Sequence, residues 1–330
     1  MRILFITYSI KEEAGVGSAR SRMLYDMLRD KGHSITLLSD SIYSLKNIFC
    51  YIVFRQYDKV YFSGPPYSYY LIILLVAVSL KKVNLIVDFR DPWSLHIANG
   101  YNNTVYKPNK IKLKIAQLTE KMIYNISKHF VVCTEGMFLR YKELFKDLSK
   151  LSLILNGHEI EKSDLKNNLI CQKDDGYLKV VCLGKFAAYD RYRAIKLFNI
   201  FEISSKKIEI TFYGTDEITK NIVQSKTFKH LKFKLENSIP YNEIKKTINN
   251  YNFAILLLRN DDFEYGTKVY DYIGFGLPIY NIFNSNSLFY FKFKNYLFDD
   301  LNNIPKIKPD YEMKFSRRKQ LKKLVKYIEE

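Results

Sequence analysis

Short apolar runs separated by longer amphipathic stretches recur along the chain, a pattern that predicts buried strands alternating with helices. In the first half the runs predict strands over Arg2–Tyr8, Ser34–Ser39, Lys59–Ser63, Leu85–Phe89, His129–Thr134 and Leu151–Leu155. The stretches between them predict helices over Ser21–Lys31, Tyr67–Leu80 and Ile111–Ser127. Strands that alternate with helices in this way build a parallel sheet covered on both faces.

The pattern begins again after a polar segment, Ile160–Asp175, which has no clear periodicity. A helix is predicted over Glu243–Asn249, and strands over Leu178–Leu183, Ile208–Tyr213, Leu231–Leu235 and Phe253–Leu258. We therefore expect two doubly wound α/β domains, over residues 1–160 and 161–315. A last helix, over residues 316–330, has one apolar and one basic face.

Composition narrows the class of protein. The chain has 330 residues, 47% of them apolar, which is enough for two globular cores. Its four cysteines lack paired or metal-binding spacing, as is typical of reduced thiols. The first residues lead into a strand pattern rather than a signal peptide, and the apolar run Tyr69–Val78 is shorter than the ~20 residues that span a bilayer. We therefore expect a cytoplasmic protein.

The formal net charge of +18 is open to two interpretations. It indicates attraction to an anionic partner, such as a membrane surface, a lipid diphosphate or a nucleic acid, or else a lysine-rich composition with scattered, solvated charges. Because the lysines are spread along the chain rather than concentrated in one block, we expect no nucleic-acid partner.

The most informative stretch is Gly266–Pro278, with the sequence GTKVYDYIGFGLP, which follows the apolar run ending at Leu258. The Thr267 hydroxyl is expected to cap a helix by accepting a hydrogen bond from an amide of its first turn. Gly276 and Pro278 predict the end of that helix. A strand, a polar loop and the start of a helix thus follow one another.

The start of that helix has the features of an anion site. Its free amides and partial positive charge attract anions. Lys268 adds a full positive charge in the first turn, where it opposes the helix dipole unless an anion is bound. Asp271, one turn later, is placed to accept from hydroxyl groups. A diphosphate next to a ribose matches this set, although similar segments also occur in α/β proteins without a ligand.

The same stretch resembles the donor-nucleotide segment of the retaining family-4 glycosyltransferases with the GT-B fold, and most of all the bacterial surface-polysaccharide branch. The resemblance implies two facing Rossmann-like domains with a cleft between them, the last helix packing back on the first domain. It also implies that Gly266, Thr267 and Lys268 bind the donor and that Asp271 contacts the ribose. The family's second acidic residue is replaced by Phe263, with Glu264 one place away.

Further donor contacts are expected in the second half. Gly184, after a predicted strand, lets the backbone come close to a ligand, and Lys185 is able to reach a phosphate. Arg191 lies in a basic and aromatic segment before a helix, and Tyr213 ends a strand. Pro240 belongs to a turn that resembles the one contacting the base in the family.

In the first half, the segment Asp88-Phe89-Arg90-Asp91-Pro92-Trp93 lies at the carboxyl end of a predicted strand, where open α/β sheets bind ligands. One interpretation is an ion pair between Arg90 and an aspartate of the same loop, in which both charges are satisfied without a ligand. The other rests on a similar segment in the resembling branch. It assigns Asp88, Arg90 and Asp91 to catalysis, with Asp91 on the acceptor hydroxyl and Arg90 near the phosphates. Glu120 also matches a glutamate usual in the family.

The first glycine loop offers two hypotheses. Gly15 and Gly17, with Asp40 after the second predicted strand, are a partial dinucleotide-binding pattern, so a NAD-dependent oxidoreductase is one alternative. The third glycine of that pattern is replaced by Arg20. The same loop resembles the first glycine loop of GT-B transferases, which implies that Gly15, Gly17 and Arg20 contact an acceptor or donor phosphate.

The implied reaction is transfer of a sugar from a nucleotide-diphosphate sugar to an acceptor hydroxyl with retained configuration. We expect no cofactor and no metal, because lysines and a helix start supply the positive charge for the leaving diphosphate. The branch and the net charge together favour a lipid-linked or oligosaccharide acceptor in surface-polysaccharide assembly, at the inner face of the cytoplasmic membrane. A non-catalytic GT-B-like subunit is a further alternative, since Phe263 replaces an acid.

Overall fold

The computed structural model describes residues 1–11, 16–39, 44–64, 68–99, 108–161, 163–164, 176–204 and 206–330. These residues form two compact units. One consists of the described residues up to Asn156 together with Arg317–Glu330, and the other of those within Gly157–Ser316.

The first unit is built on a six-stranded parallel sheet. In spatial order its strands run β2-β1-β3-β4-β5-β6. The register pairs Ile3 of β1 with Ile35 of β2 and with Lys59 of β3. The strands are β1 (Arg2–Thr7), β2 (Ser34–Leu38), β3 (Lys59–Gly64), β4 (Asn84–Phe89), β5 (Ser127–Val132) and β6 (Leu151–Leu153).

Helices cover both faces of this sheet. They are α1 (Val16–Asp30), α2 (Leu45–Phe54), α3 (Ser68–Lys81), α4 (Trp93–Asn99), α5 (Lys110–Ile126) and α6 (Glu135–Phe145), followed by the last helix of the chain, α12 (Arg317–Glu329). Alternate residues of β1 point to opposite faces. Leu4 packs with α2, α3 and α5, whereas Phe5 packs with Leu24 of α1 and Leu321 of α12. The last helix is therefore part of the core of the first unit.

The second unit has a six-stranded parallel sheet of its own, in the order β12-β11-β10-β7-β8-β9. Numbered within the unit this is the doubly wound order 6-5-4-1-2-3, in which the winding reverses between β7 and β10. The strands are β7 (Leu178–Leu183), β8 (Ile208–Tyr213), β9 (Leu231–Glu236), β10 (Phe253–Ala254), β11 (Ile279–Tyr280) and β12 (Leu297–Phe298). The helices are α7 (Arg191–Ile203), α8 (Glu217–Ser225), α9 (Tyr241–Thr247), α10 (Lys268–Phe275) and α11 (Leu288–Phe293), with 3-10 turns at Ile248–Asn250 and Lys294–Tyr296.

The sequence-based prediction of two doubly wound α/β units is confirmed, and several bounds are corrected. Helix α1 begins at Val16 rather than Ser21. Only Phe253–Ala254 of the predicted strand Phe253–Leu258 forms ladder pairs, although Ile255 still donates to the Val181 carbonyl. Helix α2 was not predicted because its mostly apolar sequence lacks a polar face, but the Ser44 side chain caps it through the amide of Asn47.

Candidate functional site

The carboxyl ends of β7 and β10 lie side by side at the point where the strand order of the second sheet reverses. Phe253 of β10 pairs with Val180 of β7, and both strands run in the same direction. In open α/β sheets this switch point is the usual ligand site, because the following loops diverge to opposite faces and leave a crevice. Two of the predicted donor segments, the one after β7 and the one that starts α10, lie in this region.

Gly184 and Lys268 meet there. Gly184 directly follows β7 and has a φ of +77°, a backbone conformation that side chains rarely adopt. A Cβ at Gly184 would lie 3.7 Å from Cε of Lys268, the first residue of α10. The structure thus brings Lys268, which was predicted to bind a phosphate, next to Gly184, which was predicted to let the backbone approach the ligand. The two residues are far apart in sequence. Lys185, the next residue, is exposed.

The loop after Gly184 is held by the start of α8, a feature that the sequence analysis missed. The Phe186 amide donates to Oδ2 of Asp216 at 2.7 Å, and the Ala187 amide donates to Oγ1 of Thr219 at 2.9 Å. Burial raises the pKa of the Asp216 carboxyl, but the hydrogen bonds from Phe186 and Thr219 outweigh it and leave the pKa below its ordinary value. A charged Asp216 therefore fixes the backbone beside Gly184.

The predicted capping role of Thr267 is wrong. Thr267 directly precedes α10, but its hydroxyl makes no capping hydrogen bond. Its backbone is already helical, with φ −95° and ψ −23°, whereas a capping side chain needs the extended conformation. Gly266, with a φ of +63°, makes the turn into the helix. At the other end, Gly276 takes the left-handed conformation with φ +72°, which confirms the predicted stop.

Asp271 is buried, with 2% of its surface exposed, and its Oδ1 accepts from the Tyr241 hydroxyl at 2.9 Å. Tyr241 is the first residue of α9 and follows Pro240 directly. The structure thus joins the predicted base-contacting turn to the predicted ribose-contacting residue. Tyr241 belongs to the predicted turn Ile239-Pro240-Tyr241, but its hydrogen bond to Asp271 was not predicted.

The other donor predictions have mixed placements. Tyr213 lies next to the loop, because its carbonyl accepts from the Gly184 amide at 2.8 Å. Arg191 is exposed at the start of α7, and it is Arg193 that pairs through Nη1 with both oxygens of Asp261, at 2.7 and 2.9 Å. Phe263, which replaces the family's second acidic residue, is buried. The adjacent Glu264 is half-buried.

Asp88 and Arg20 form a buried ion pair in the first unit. Nε of Arg20 donates to Oδ2 of Asp88 at 2.8 Å and Nη2 to Oδ1 at 3.2 Å, while Nη1 donates to the Leu155 carbonyl at 2.8 Å. The Tyr61 hydroxyl completes the cluster at 2.9 Å from Oδ2 of Asp88. Side-chain exposure is 2% for Arg20 and 0% for Asp88.

This pair corrects two predictions. Asp88 was assigned to catalysis and Arg20 to a phosphate, but both are enclosed in the interior, where their charges neutralise each other. Burial alone would lower the pKa of the Arg20 guanidinium, but the neighbouring Asp88 carboxylate raises it above its ordinary value. The cluster links α1 to β3, to β4 and to the segment that follows β6.

Arg90 and Asp91 remain half-buried after the carboxyl end of β4. The predicted pair between Arg90 and an aspartate stays a prediction, and Asp88 pairs with Arg20. Next to this segment along the chain, Ser94 contacts the buried Glu120. Oε1 of Glu120 accepts from the Ser94 amide at 2.9 Å and from the Tyr141 hydroxyl at 2.8 Å. Burial raises the pKa of Glu120 from its ordinary 4.5 to about 7. Glu120 therefore anchors α4, which begins directly after the Asp91-Pro92 step.

The first glycine loop falls largely outside the described residues. Gly15 and Asp40 are not among them, so the partial dinucleotide pattern stays a prediction. Gly17 lies in the first turn of α1.

The fold is similar to that of several solved structures. A sucrose-phosphate synthase from Thermosynechococcus elongatus matches over 84% of this chain and 80% of its own, at 11% identity and a TM-score of 0.60. The lipopolysaccharide outer core galactosyltransferase WaaB matches over 85% and 80%, at 10% identity and a TM-score of 0.53. An alpha-glucosyltransferase solved with UDP matches over 100% and 93%, at 11% identity and a TM-score of 0.51.

At these identities the likeness establishes the fold, which is the GT-B type with two successive Rossmann-like units. No protein-family model and no curated protein sequence matches the chain. Among the helices that the structure describes, none combines the length and hydrophobicity that crossing a bilayer requires.

Proposed function

We propose that this protein is a glycosyltransferase that takes a sugar from a nucleotide-diphosphate donor bound at the switch point of the second unit. The observation that carries the proposal is the approach of Lys268 to Gly184. It places a cation, a helix start and a backbone position without a side chain at one point. A diphosphate leaving group needs these elements, since fixed positive charge stabilises the anion that forms as the sugar departs.

The nucleoside would lie beside the Tyr241–Asp271 pair. Asp271 is a buried carboxylate that accepts a hydrogen bond from a hydroxyl group, and ribose hydroxyls are donors of the same kind. A nucleoside diphosphate also fits the neighbours, since one of them is an alpha-glucosyltransferase in complex with UDP. Lys185 would contribute to holding the phosphates, because it is exposed next to Gly184.

Asp91 is proposed to contact the acceptor hydroxyl and Arg90 to support the phosphates. Both follow the carboxyl end of β4 and keep part of their surface exposed, unlike Asp88. We propose retention of configuration, with the departing phosphate assisting front-face attack, because the donor segment resembles that of retaining transferases. Lys268 and the start of α10 would supply the positive charge in place of a metal ion.

The acceptor is proposed to be a lipid-linked or oligosaccharide substrate of surface-polysaccharide assembly, used at the cytoplasmic face of the membrane. The net charge of +18 supports an anionic acceptor or membrane. The choice of a surface-polysaccharide acceptor follows from the bacterial branch that the donor segment resembles.

A thermal-shift screen with UDP, GDP and NAD tests the class, followed by donor hydrolysis over a set of nucleotide sugars. A transferase is expected to be stabilised by UDP or GDP and to release its nucleotide slowly from one sugar donor. Stabilisation by NAD alone would replace the proposal with an oxidoreductase. A response to none of these ligands would favour the non-catalytic subunit.

A further inference from the structure

Helix α5 exposes an apolar stripe. Its members recur at intervals of four, three and four residues, which places them on one side of the helix. Between 51% and 74% of the surface of each of these side chains is exposed, and they are Ile111, Ile115, Leu118 and Met122. The opposite side of α5 is already buried against the sheet, through residues such as Ala116 and Ile123. The stripe is thus additional to the face that the fold itself requires.

The neighbouring helices extend this apolar surface. Helix α3 packs against α5 on one side and against α2 on the other. It exposes Ile72, Val76 and Leu80 at successive helical turns, and α2 ends in Phe54, with 76% of its surface exposed. Isolated apolar residues are common on protein surfaces, but two adjacent helices that each expose a row of apolar residues, next to a third that ends in an exposed phenylalanine, indicate a contact surface.

The charge on the same three helices has a single sign. Their only acidic residue is Glu120, which is fully buried. Exposed basic residues lie on the helices and at their ends, namely Lys46, Arg55, Lys81, Lys82, Lys110, Lys112, Lys114 and Lys121. Long basic side chains extend their charged ends past apolar neighbours toward phosphate groups. Apolar residues within a basic border are typical of surfaces that insert shallowly into anionic membranes.

We propose that the outer face of α2, α3 and α5, here called the basic-apolar face, docks on an anionic lipid bilayer. Charge complementarity selects this partner. A second copy of the chain, joined through the same face in a two-fold dimer, would place basic residues against basic residues. A nucleic acid would match the charge but not the apolar stripe. The inference deepens the proposed function, because a lipid-linked acceptor requires the enzyme at the membrane surface.

Flotation of the full chain with vesicles tests this proposal independently of sugar transfer. Vesicles of phosphatidylcholine with phosphatidylglycerol are compared with vesicles of phosphatidylcholine alone, at low and high salt. One variant, I115E/L118E, removes part of the stripe. A second, K112E/K114E/K121E, reverses part of the border. All the substituted side chains are exposed, so the fold should persist, and thermal unfolding of each variant checks it.

Matched controls carry the same chemical changes elsewhere. I203E/I218E introduces two charges on exposed apolar residues of the second unit, and K319E/K322E/K323E reverses three exposed lysines of α12. The proposal predicts that the wild type and both controls float with anionic vesicles at low salt. Both face variants should lose binding about tenfold or more. Affinity for whichever of UDP and GDP the wild type binds should be unchanged in all of them.

Three results would overturn the proposal. The first is wild-type protein that stays with the soluble fraction. The second is loss of binding in the α12 control with retention in the face variants, which would move the membrane contact to α12. The third is a wild-type dimer in light scattering that I115E/L118E dissociates. A further result would separate the two proposals: the face variants lose vesicle binding, while neither the wild type nor any variant binds UDP or GDP. In that case the membrane inference stands and the proposed function fails.

Discussion

Cε of Lys268 lies 3.7 Å from the point that a Cβ on Gly184 would occupy, so a methyl group at residue 184 would fill the space beside this lysine in ordinary van der Waals contact. The φ of +77° at Gly184 gives a second reason for glycine. These two requirements can be separated, because Gly32 has a similar φ of +79° with nothing within 4 Å of its would-be Cβ.

Gly184→Ala is therefore expected to weaken UDP or GDP binding by about tenfold, beyond its effect on the fold. Both Gly184→Ala and Gly32→Ala should lower the free energy of unfolding by roughly 1 kcal/mol, the cost of a left-handed conformation with a side chain. Urea unfolding and calorimetric titration measure the two effects. Equal nucleotide affinities in the two variants would show that the proximity of Lys268 to Gly184 has no part in binding.

The Tyr241–Asp271 hydrogen bond predicts how the nucleoside is recognised. If Asp271 accepts from the ribose, the wild type should bind UDP more tightly than its 2′- and 3′-deoxy analogues. In Asp271→Asn the preference for UDP over one of the two deoxy analogues should shrink about tenfold, since a charged acceptor has been removed.

Tyr241→Phe should reduce the preference for UDP over its deoxy analogues by less than Asp271→Asn does. The carboxylate remains, and only the hydrogen bond that orients it is removed. Tyr280→Phe is the matched control, since that hydroxyl donates to the Asp299 carbonyl in the same unit. An unaltered preference for ribose in Asp271→Asn would assign the pair to packing alone.

The Arg20–Asp88 pair is expected to stabilise the first unit rather than to act on substrate. Arg20→Ala leaves a buried carboxylate without its partner and should cost about 3–5 kcal/mol of the free energy of unfolding. Arg29→Ala, which breaks exposed pairs with Asp26 and Asp30, should cost less than about 1 kcal/mol. Urea unfolding compares them. A stable Arg20→Ala protein that lacks only activity would restore the predicted phosphate contact.

Glu120 predicts a pH dependence of stability. Its pKa is about 7 in the folded chain and near 4.5 when exposed, so the folded state retains a proton that the unfolded state releases between these values. Stability contributed by this group is therefore complete below pH 4.5 and is lost as the pH rises toward 7, by up to roughly 3 kcal/mol.

Glu120→Gln keeps an oxygen for the Ser94 amide and the Tyr141 hydroxyl but cannot ionise. Its free energy of unfolding should change less between pH 4.5 and 7 than that of the wild type. Glu143→Gln, at an exposed glutamate, should follow the wild type. Parallel pH profiles for the wild type and Glu120→Gln would contradict the raised pKa.

The sequence predicted much of the fold because its signals are local. Strand runs such as Leu178–Leu183 and Ile208–Tyr213 match the structure residue for residue, and Gly276 ends α10 as expected. Strand order needed more than local signals, since the switch point between β7 and β10 joins segments far apart in the chain.

The site could be predicted only in part, for a related reason. Lys268 and Asp271 belong to one local motif, whereas the Arg20–Asp88 pair joins residues 68 positions apart. No pattern within one segment distinguishes a buried pair from two ligand contacts. Asp216 gives a further example. Its position before α8 indicates a helix cap, but its bond to the Phe186 amide follows from the pairing of β7 with β8.

The affinity gained from the second phosphate of the donor is the central test of a diphosphate site at Lys268. Calorimetry of UDP against UMP, repeated with GDP against GMP, measures it in the wild type, in Lys268→Met and in the control Lys220→Met, whose lysine pairs with Glu217 on α8. We expect at least about tenfold tighter binding of one diphosphate than of its monophosphate in the wild type and the control, and loss of that gain in Lys268→Met. An equal gain in Lys268→Met and the wild type would contradict it.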